Sequence, residues 1–215
     1  MKLVHIISRY KCKTFFSQLQ IIGKVSLTLW RERSKTLNIM IYNERNNRED
    51  SVLDAAMQIM VAARTAPKSR GVDLVEICTV TGDEKQRIVD EMRRIAEKEN
   101  IPFFNRDALN LEQAQAVVLI GSHRRNLSLN CGRCGFPTCE AKPIAVPCVF
   151  NTVDVGIAIG SACRTAMKLC VDSRVMYSVG RAAQVLGYPD KDSDYVCALV
   201  LSVSSKSPFF DRKPL

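Results

Sequence analysis

Histidine is almost missing from this chain, with two among 215 residues, and there is a single tryptophan. With so few imidazoles and no nucleophile set beside a base in any motif, hydrolytic catalysis has no support in the sequence. No apolar run reaches the ~18 residues that a membrane-spanning helix needs. Lys11, Lys13, Gln18, Gln20 and Lys24 interrupt the N-terminal stretch that comes nearest. That stretch also lacks a compact apolar core followed by a small-residue cleavage site, which argues against a secretory signal. No glycine-rich phosphate loop occurs, and there is no internal repeat or low-complexity tract. Acidic residues are nearly absent from the first 39 positions, where eight Lys or Arg face Glu32 alone. That segment carries +7 of the formal charge of +9, so the rest of the chain is close to balanced. The basicity therefore belongs to a segment and not to the domain, and a nucleic-acid partner is not expected.

Residues 1–39 are accordingly read as a basic N-terminal extension, expected to be poorly ordered, with Met40 as the expected true start. A transit peptide or a surface-binding amphipathic helix is the alternative for this segment. Residues 40–215 form one domain in this reading, with a cysteine loop over 130–150. A chain of this length is enough to bury one core, and 47% hydrophobic with 25% charged residues is a globular composition.

From Met40 onward, periodicity predicts alternating elements. Ser51 with Asp54 has the form of a capping box ahead of Val52, Ala56, Ile59, Met60 and Ala63, which recur at helical spacing. Pro67 and Gly71 should end that helix. DLVEICTV reads as a strand. Thr81 with Glu84 forms a second expected capping box, opening a helix with Ile88, Met92, Ile95 and Ala96 on one face and stopping before Pro102. FFNRDALNLEQ is a loop or short helix, and AVVLIGS a second strand. Asn151 or Thr152 is expected to cap a helix through DVGIAIGSACRTAMKLC, apolar or small nearly all round and so expected to be buried on most sides. Gly156 and Gly160 in it suggest helix packing or close approach of a neighbouring group. Ser173 is expected to start a further helix through Val175, Val179, Ala182 and Leu186, stopped by Gly187. YVCALVLSVS is the last strand and SPFFDRKPL a tail. Strands separated by helices imply an α/β (α+β) sandwich of helices around one sheet, with an irregular cysteine-rich loop.

Nine cysteines, an odd number without a secretion signal, favour a reducing, cytoplasmic setting over a disulfide framework. Three of them fall in CGRCGFPTC, residues 131–139, and Cys148 follows in IAVPC. Four thiols within 18 residues are enough to enclose a metal site. Gly132 and Gly135 supply tight turns and backbone N–H groups that can point at sulfur, and Pro137 stiffens the wrap. An iron-sulfur centre is the favoured use. A structural zinc is an alternative, but Cys139 and Cys148 do not make the second short knuckle that such sites employ. A third alternative is no metal at all. Cys163 and Cys170 lie seven apart on a helix expected to be buried, Cys78 and Cys197 lie in strands, and all four read as packed thiols. His123 with Arg124 and Arg125 could tune a cluster, receive an acidic partner, or simply form a loop after a strand.

CGRCGFPTCE resembles the opening of the four-cysteine ferredoxin-type domain of the corrinoid iron-sulfur protein and of membrane electron-transport subunits, in which C-x-x-C-G-x-P-x-C ligates a 4Fe-4S cluster. The resemblance implies Cys131, Cys134 and Cys139 as ligands. Those domains place their fourth cysteine farther along than Cys148. Over most of residues 40–213 the chain resembles the uncharacterised prokaryotic ferredoxin-domain-containing proteins, through AARTAPKSRGVD, NCGRCGFPTCEAK, VPCVFNTVDVGIAIGSA, DSRVMYSVG and SPFFDRK. Within that likeness Cys148 is the natural fourth ligand. More distantly, the order of elements is similar to flavin-dependent nitroreductases, which implies a nitroreductase-like sandwich, allows a homodimer, and makes Arg64, Lys68, Ser69 and Arg70 candidate FMN contacts. The usual arginine-rich entry to a flavin site is not recognisable.

The expectation is a redox protein with one 4Fe-4S cluster that exchanges electrons with a partner protein yet to be identified. A flavin-dependent reductase using the cluster as a relay and a zinc-stabilised interaction module are the alternatives.

Overall fold

Val117 to Ile120 are apolar without alternation because both faces of their strand are covered. The computed structural model describes residues 41–210, and the expectations for residues 1–39 and for Met40 as a start lie outside it. Four strands, β1 (Val75–Val80), β2 (Ala116–His123), β3 (Asp172–Met176) and β4 (Ser193–Ser202), form one sheet in the order β1-β2-β4-β3, antiparallel at every pairing. Among the described residues, five α-helices surround it: α1 (Arg48–Arg64), α2 (Gly82–Glu99), α3 (Phe103–Gln113), α4 (Val149–Lys168) and α5 (Tyr177–Val185).

Side chains of successive strand residues point to opposite faces, so each central strand feeds two cores. Val117 and Leu119 of β2 join Val196, Ala198 and Val200 of β4 against α2, α3 and α5. Val118 and Ile120 join Cys197, Leu199 and Leu201 against α1 and α4. The result is a helix-sheet-helix sandwich, as the alternation of elements implied.

Several local expectations change. Helix α1 begins at Arg48, so Ser51 is inside it, and its hydroxyl donates back to the Asn47 carbonyl at 2.8 Å instead of capping. Thr81 does precede α2, but no side-chain cap bond forms there. Glu84 instead accepts from Arg87 at 2.8 Å and from the Tyr188 hydroxyl. Residues FFNRDALNLEQ are helical throughout. Helix α4 starts at Val149 with Cys148 as its N-cap, which puts Asn151 and Thr152 within its first turn. The stretch from Asp172 to Met176 is a strand and not the start of a helix, since its backbone pairs with β4 from Asp172 opposite Ser202 to Met176 opposite Ala198. The tail reading of SPFFDRKPL also fails in part, because Phe209 is fully buried in the core shared with α2, α3 and α5.

Helix α4 is not buried on most sides. One stripe, Val155, Ala158, Ala162 and Ala166, packs on the sheet, while Val153 and Ile157 are exposed, as are Leu53, Met57 and Val61 of α1. A Cβ at Gly156 or Gly160 would meet nothing within 4 Å, so among the described residues neither glycine serves a close approach. Gly156→Ala is therefore expected to stabilise the protein by about 1 kcal/mol through helix propensity. Thermal melts check this, and a lower melting temperature would mean that a second chain packs its backbone against this face.

Candidate metal centre

The segment between β2 and α4 carries the four clustered cysteines, and its course is set by turns. Gly132 (φ +69°) and Gly135 (φ +89°) adopt the left-handed conformation that glycine tolerates, and the Gly135 N–H closes a turn onto the Gly132 carbonyl at 3.0 Å. The result is that Cys131, Cys134, Cys139 and Cys148 all line one cavity, together with Phe136 and Lys142. Cys131 is exposed, Cys134 and Cys139 are half-buried, and Cys148 is buried. Among the described residues no three His, Cys, Asp or Glu side chains form a group that could hold a single metal ion.

Each end of the loop is pinned by side chains that sequence reasoning missed. The Asn130 N–H donates to the Cys139 sulfur at 3.4 Å, and the Cys139 N–H donates to the Asn130 side-chain oxygen at 2.8 Å. Asn126 donates to the Cys139 carbonyl at 3.3 Å. Asn130 immediately precedes Cys131, so its position was the available signal. Asn151, buried on the first turn of α4, donates to the carbonyls of His123 at 3.2 Å and Arg125 at 2.6 Å, which fixes where the loop leaves β2. Cys148 closes the loop as the N-cap residue of α4.

The remaining cysteines sit in different surroundings. Burial pushes the Cys78 thiol up to about 11, and it raises those of Cys163 and Cys197 as well. Thiols held protonated are poor ligands and poor nucleophiles. Cys170 is exposed and takes the left-handed position (φ +58°) that ends α4, its N–H bonding the Met167 carbonyl while that of Val171 bonds Ala166.

The four candidate flavin contacts are all engaged with the protein's own groups. Arg64 donates to Asp73 at 2.8 Å and to the Val75 carbonyl. Lys68, whose side chain is only 7% exposed, donates to the Ala66 carbonyl at 2.9 Å and to that of Arg64. Ser69 gives its N–H and its hydroxyl to the buried Asp154 carboxylate, the hydroxyl at 2.8 Å. Arg70, itself left-handed at φ +57°, donates to the Leu127 carbonyl at the foot of the cysteine loop. As placed, these residues do not fit the cradle of a flavin phosphate. Ser69 and Arg70 tie the segment after α1 to α4 and to the foot of the cysteine loop, while Arg64 and Lys68 hold the end of α1 and the start of β1.

The sandwich is similar in fold to solved nitroreductases. One, with bound FMN, from Desulfitobacterium hafniense DCB-2 has a TM-score of 0.50 at 16% identity, over 71% of this chain and 79% of that one. Another, also with bound FMN, from Bacteroides fragilis NCTC 9343 has a TM-score of 0.50 at 13% identity, over 75% and 82%. At such identities the likeness is one of fold. Residues 145–212 match the family model described as an uncharacterized protein containing a ferredoxin domain. That span includes Cys148 but not Cys131, Cys134 or Cys139. An uncharacterized protein from Archaeoglobus fulgidus is 40% identical over 185 residues, which is 81% of this chain and 99% of that relative. With that relative matched over nearly its whole length and the family model on the C-terminal part, the chain belongs to the family of uncharacterized proteins containing a ferredoxin domain (DUF2148).

Proposed function

We propose that this protein is an iron-sulfur redox protein that holds one 4Fe-4S cluster through Cys131, Cys134, Cys139 and Cys148 and exchanges single electrons with a partner protein. The observation that carries the reading is that all four cysteines line one cavity. A zinc ion draws four ligands to about 2.3 Å from one centre, whereas a cluster spreads its thiolates over four irons. Among the described residues no three such side chains group closely enough for a single ion, which supports the second. When bound, such a cluster supplies one-electron chemistry at a potential set by its protein surroundings.

The chain's own residues give those surroundings. The Asn130 N–H withdraws charge from the Cys139 sulfur. Lys142, on the cavity wall, adds a positive charge while its ammonium bonds the carbonyls of Val146 and, at 3.3 Å, Pro143. Both act to favour the reduced state. The exposure of Cys131 brings one edge of the site to the surface, where an electron can pass without the loop opening.

Anaerobic purification followed by an absorption spectrum and iron, sulfide and zinc analysis tests the reading. Broad charge-transfer absorption near 400 nm with about four irons and four sulfides per chain is expected. A colourless protein with one zinc would replace it by the interaction-module reading. For flavin, titration with FMN is expected to give no stoichiometric binding, because Lys68 and Ser69 are committed elsewhere. Resolved flavin bands in the purified protein, weakened by Lys68→Ala and Arg70→Ala, would establish the flavin-dependent reductase instead.

A further inference from the structure

A second cavity opens beside the cysteine loop. It is a cleft of about 530 Å³ walled by Asp73, Glu76, His123, Arg124, Arg125 and Ile144. Its volume falls in the range of small-molecule sites, and its lining is polar and charged apart from Leu74 and Ile144.

The charges are unequally compensated. Arg64 lies 2.8 Å from one Asp73 oxygen and 4.0 Å from Glu76, and Lys68 lies 3.9 Å from the other Asp73 oxygen. His123 Nε2 is 3.0 Å from Glu76 Oε1. Asp73 and Glu76 thus have cations behind them. Arg124 and Arg125 are less closely matched: among the described residues neither guanidinium forms an ion pair or donates a hydrogen bond, and the carboxylate acting on Arg124 is that of Asp194, which is itself held by the Ser122 hydroxyl at 2.8 Å. Asp192 also lines the cleft, but it meets Arg124 through the backbone, accepting the Arg124 N–H at 3.0 Å.

The backbone beneath both arginines is fixed. His123 donates its N–H to the Leu74 carbonyl at 2.9 Å, and Asn151 holds the Arg125 carbonyl at 2.6 Å. Two adjacent guanidinium forks therefore project from a pinned segment at the mouth of a concave site. A planar fork matches a carboxylate in bidentate fashion, which a solvated lysine does not. Concavity favours a small molecule over a protein surface.

We propose that this cleft binds a small dicarboxylate, with Arg124 and Arg125 each taking one carboxylate and the His123-Glu76 pair forming the opposite wall. The site requires no cluster, so it stands or falls independently of the redox reading. Because Ile144 belongs to the segment between Cys139 and Cys148, a ligand in the cleft would lie against the loop that carries the candidate cluster.

The test is calorimetric titration of the full chain with malonate and with its neutral isostere malonamide at physiological salt. Saturable malonate binding is expected, with malonamide at least roughly tenfold weaker. Arg124→Ala and Arg125→Ala should each weaken malonate roughly tenfold and the double variant should abolish binding. Arg164→Ala, an exposed residue of α4 that does not line the cleft, should change nothing, and melting temperatures should be unaltered throughout. Equal binding of malonate and malonamide would overturn the proposal, as would equal losses for Arg124→Ala and Arg164→Ala. Binding of polyglutamate without binding of malonate would also overturn it, in favour of an acidic protein partner.

Discussion

Replacing Cys131, Cys134, Cys139 or Cys148 singly with serine is expected to take the iron content from about four per chain to near zero and to remove the charge-transfer absorption. A serine hydroxyl is a harder donor that stays protonated near neutral pH, so it does not substitute for a soft thiolate. Cys163→Ser and Cys170→Ser should leave the spectrum intact. Cys163 is partly buried among the residues that pack α4 on the sheet, and about 14 residues of helix at ~1.5 Å each place it ~20 Å along the axis from the start of α4. Cys170 lies farther still, beyond the end of the helix. Iron and sulfide analysis on anaerobically purified variants checks the set. Retention of a full cluster in Cys148→Ser together with its loss in Cys163→Ser would show the ligand assignment to be wrong.

Gly180→Ala should be the most damaging conservative substitution in the described fold. A Cβ there would overlap the Val196 carbonyl oxygen and stand 2.8 Å from its carbon and 2.9 Å from the Cys197 Cα. These are backbone atoms of the central strand β4, held by β2 on one side and β3 on the other, and they cannot swing aside as a flexible side chain would. Helix α5 would have to lift off the sheet and carry Val179, Ala182 and Ala183 with it. A loss of about 3 kcal/mol or more is expected, which in a protein of this size corresponds to a fall of roughly 6–12 °C in melting temperature. The opposite sign expected for Gly156→Ala makes the pair a test of the packing itself. A small change at Gly180 would mean that α5 does not press on β4 as closely as described.

The parts of this fold that were legible are those in which local pattern and tertiary environment agree. β2 and β4 announce themselves because a strand covered on both faces must be apolar throughout. The α2 face of Ile88, Met92, Ile95 and Ala96 is legible because one side packs and the other is wet. β3 was not legible. Asp-Ser-Arg-Val-Met has no alternation, and its Val175 falls into helical spacing with Val179 and Ala182, so only the backbone partners on β4 make it a strand. Phe209 could not be recognised as core from a terminal stretch rich in charge and proline. In the loop, the clustered cysteines and the glycines that turn it were readable because their spacing is local. The struts were not, since Ser69 and Asp154 are 85 positions apart and nothing in either neighbourhood names the other.

The placement of Cys148 as the residue that opens α4 ties assembly to folding. Its carbonyl accepts the Thr152 N–H at 3.2 Å, so its backbone starts the hydrogen-bond ladder while its side chain faces the cavity. Anything that grips that sulfur lowers the conformational freedom of the first helical turn. Asn151 and Asp154 lie on that turn and the next, and through them the restraint reaches the exit of β2 and the loop after α1. Under the proposed function, loading of the site would be a maturation step for three separate stretches of chain. In the unloaded protein those stretches are where fraying, and attack by proteases, should begin.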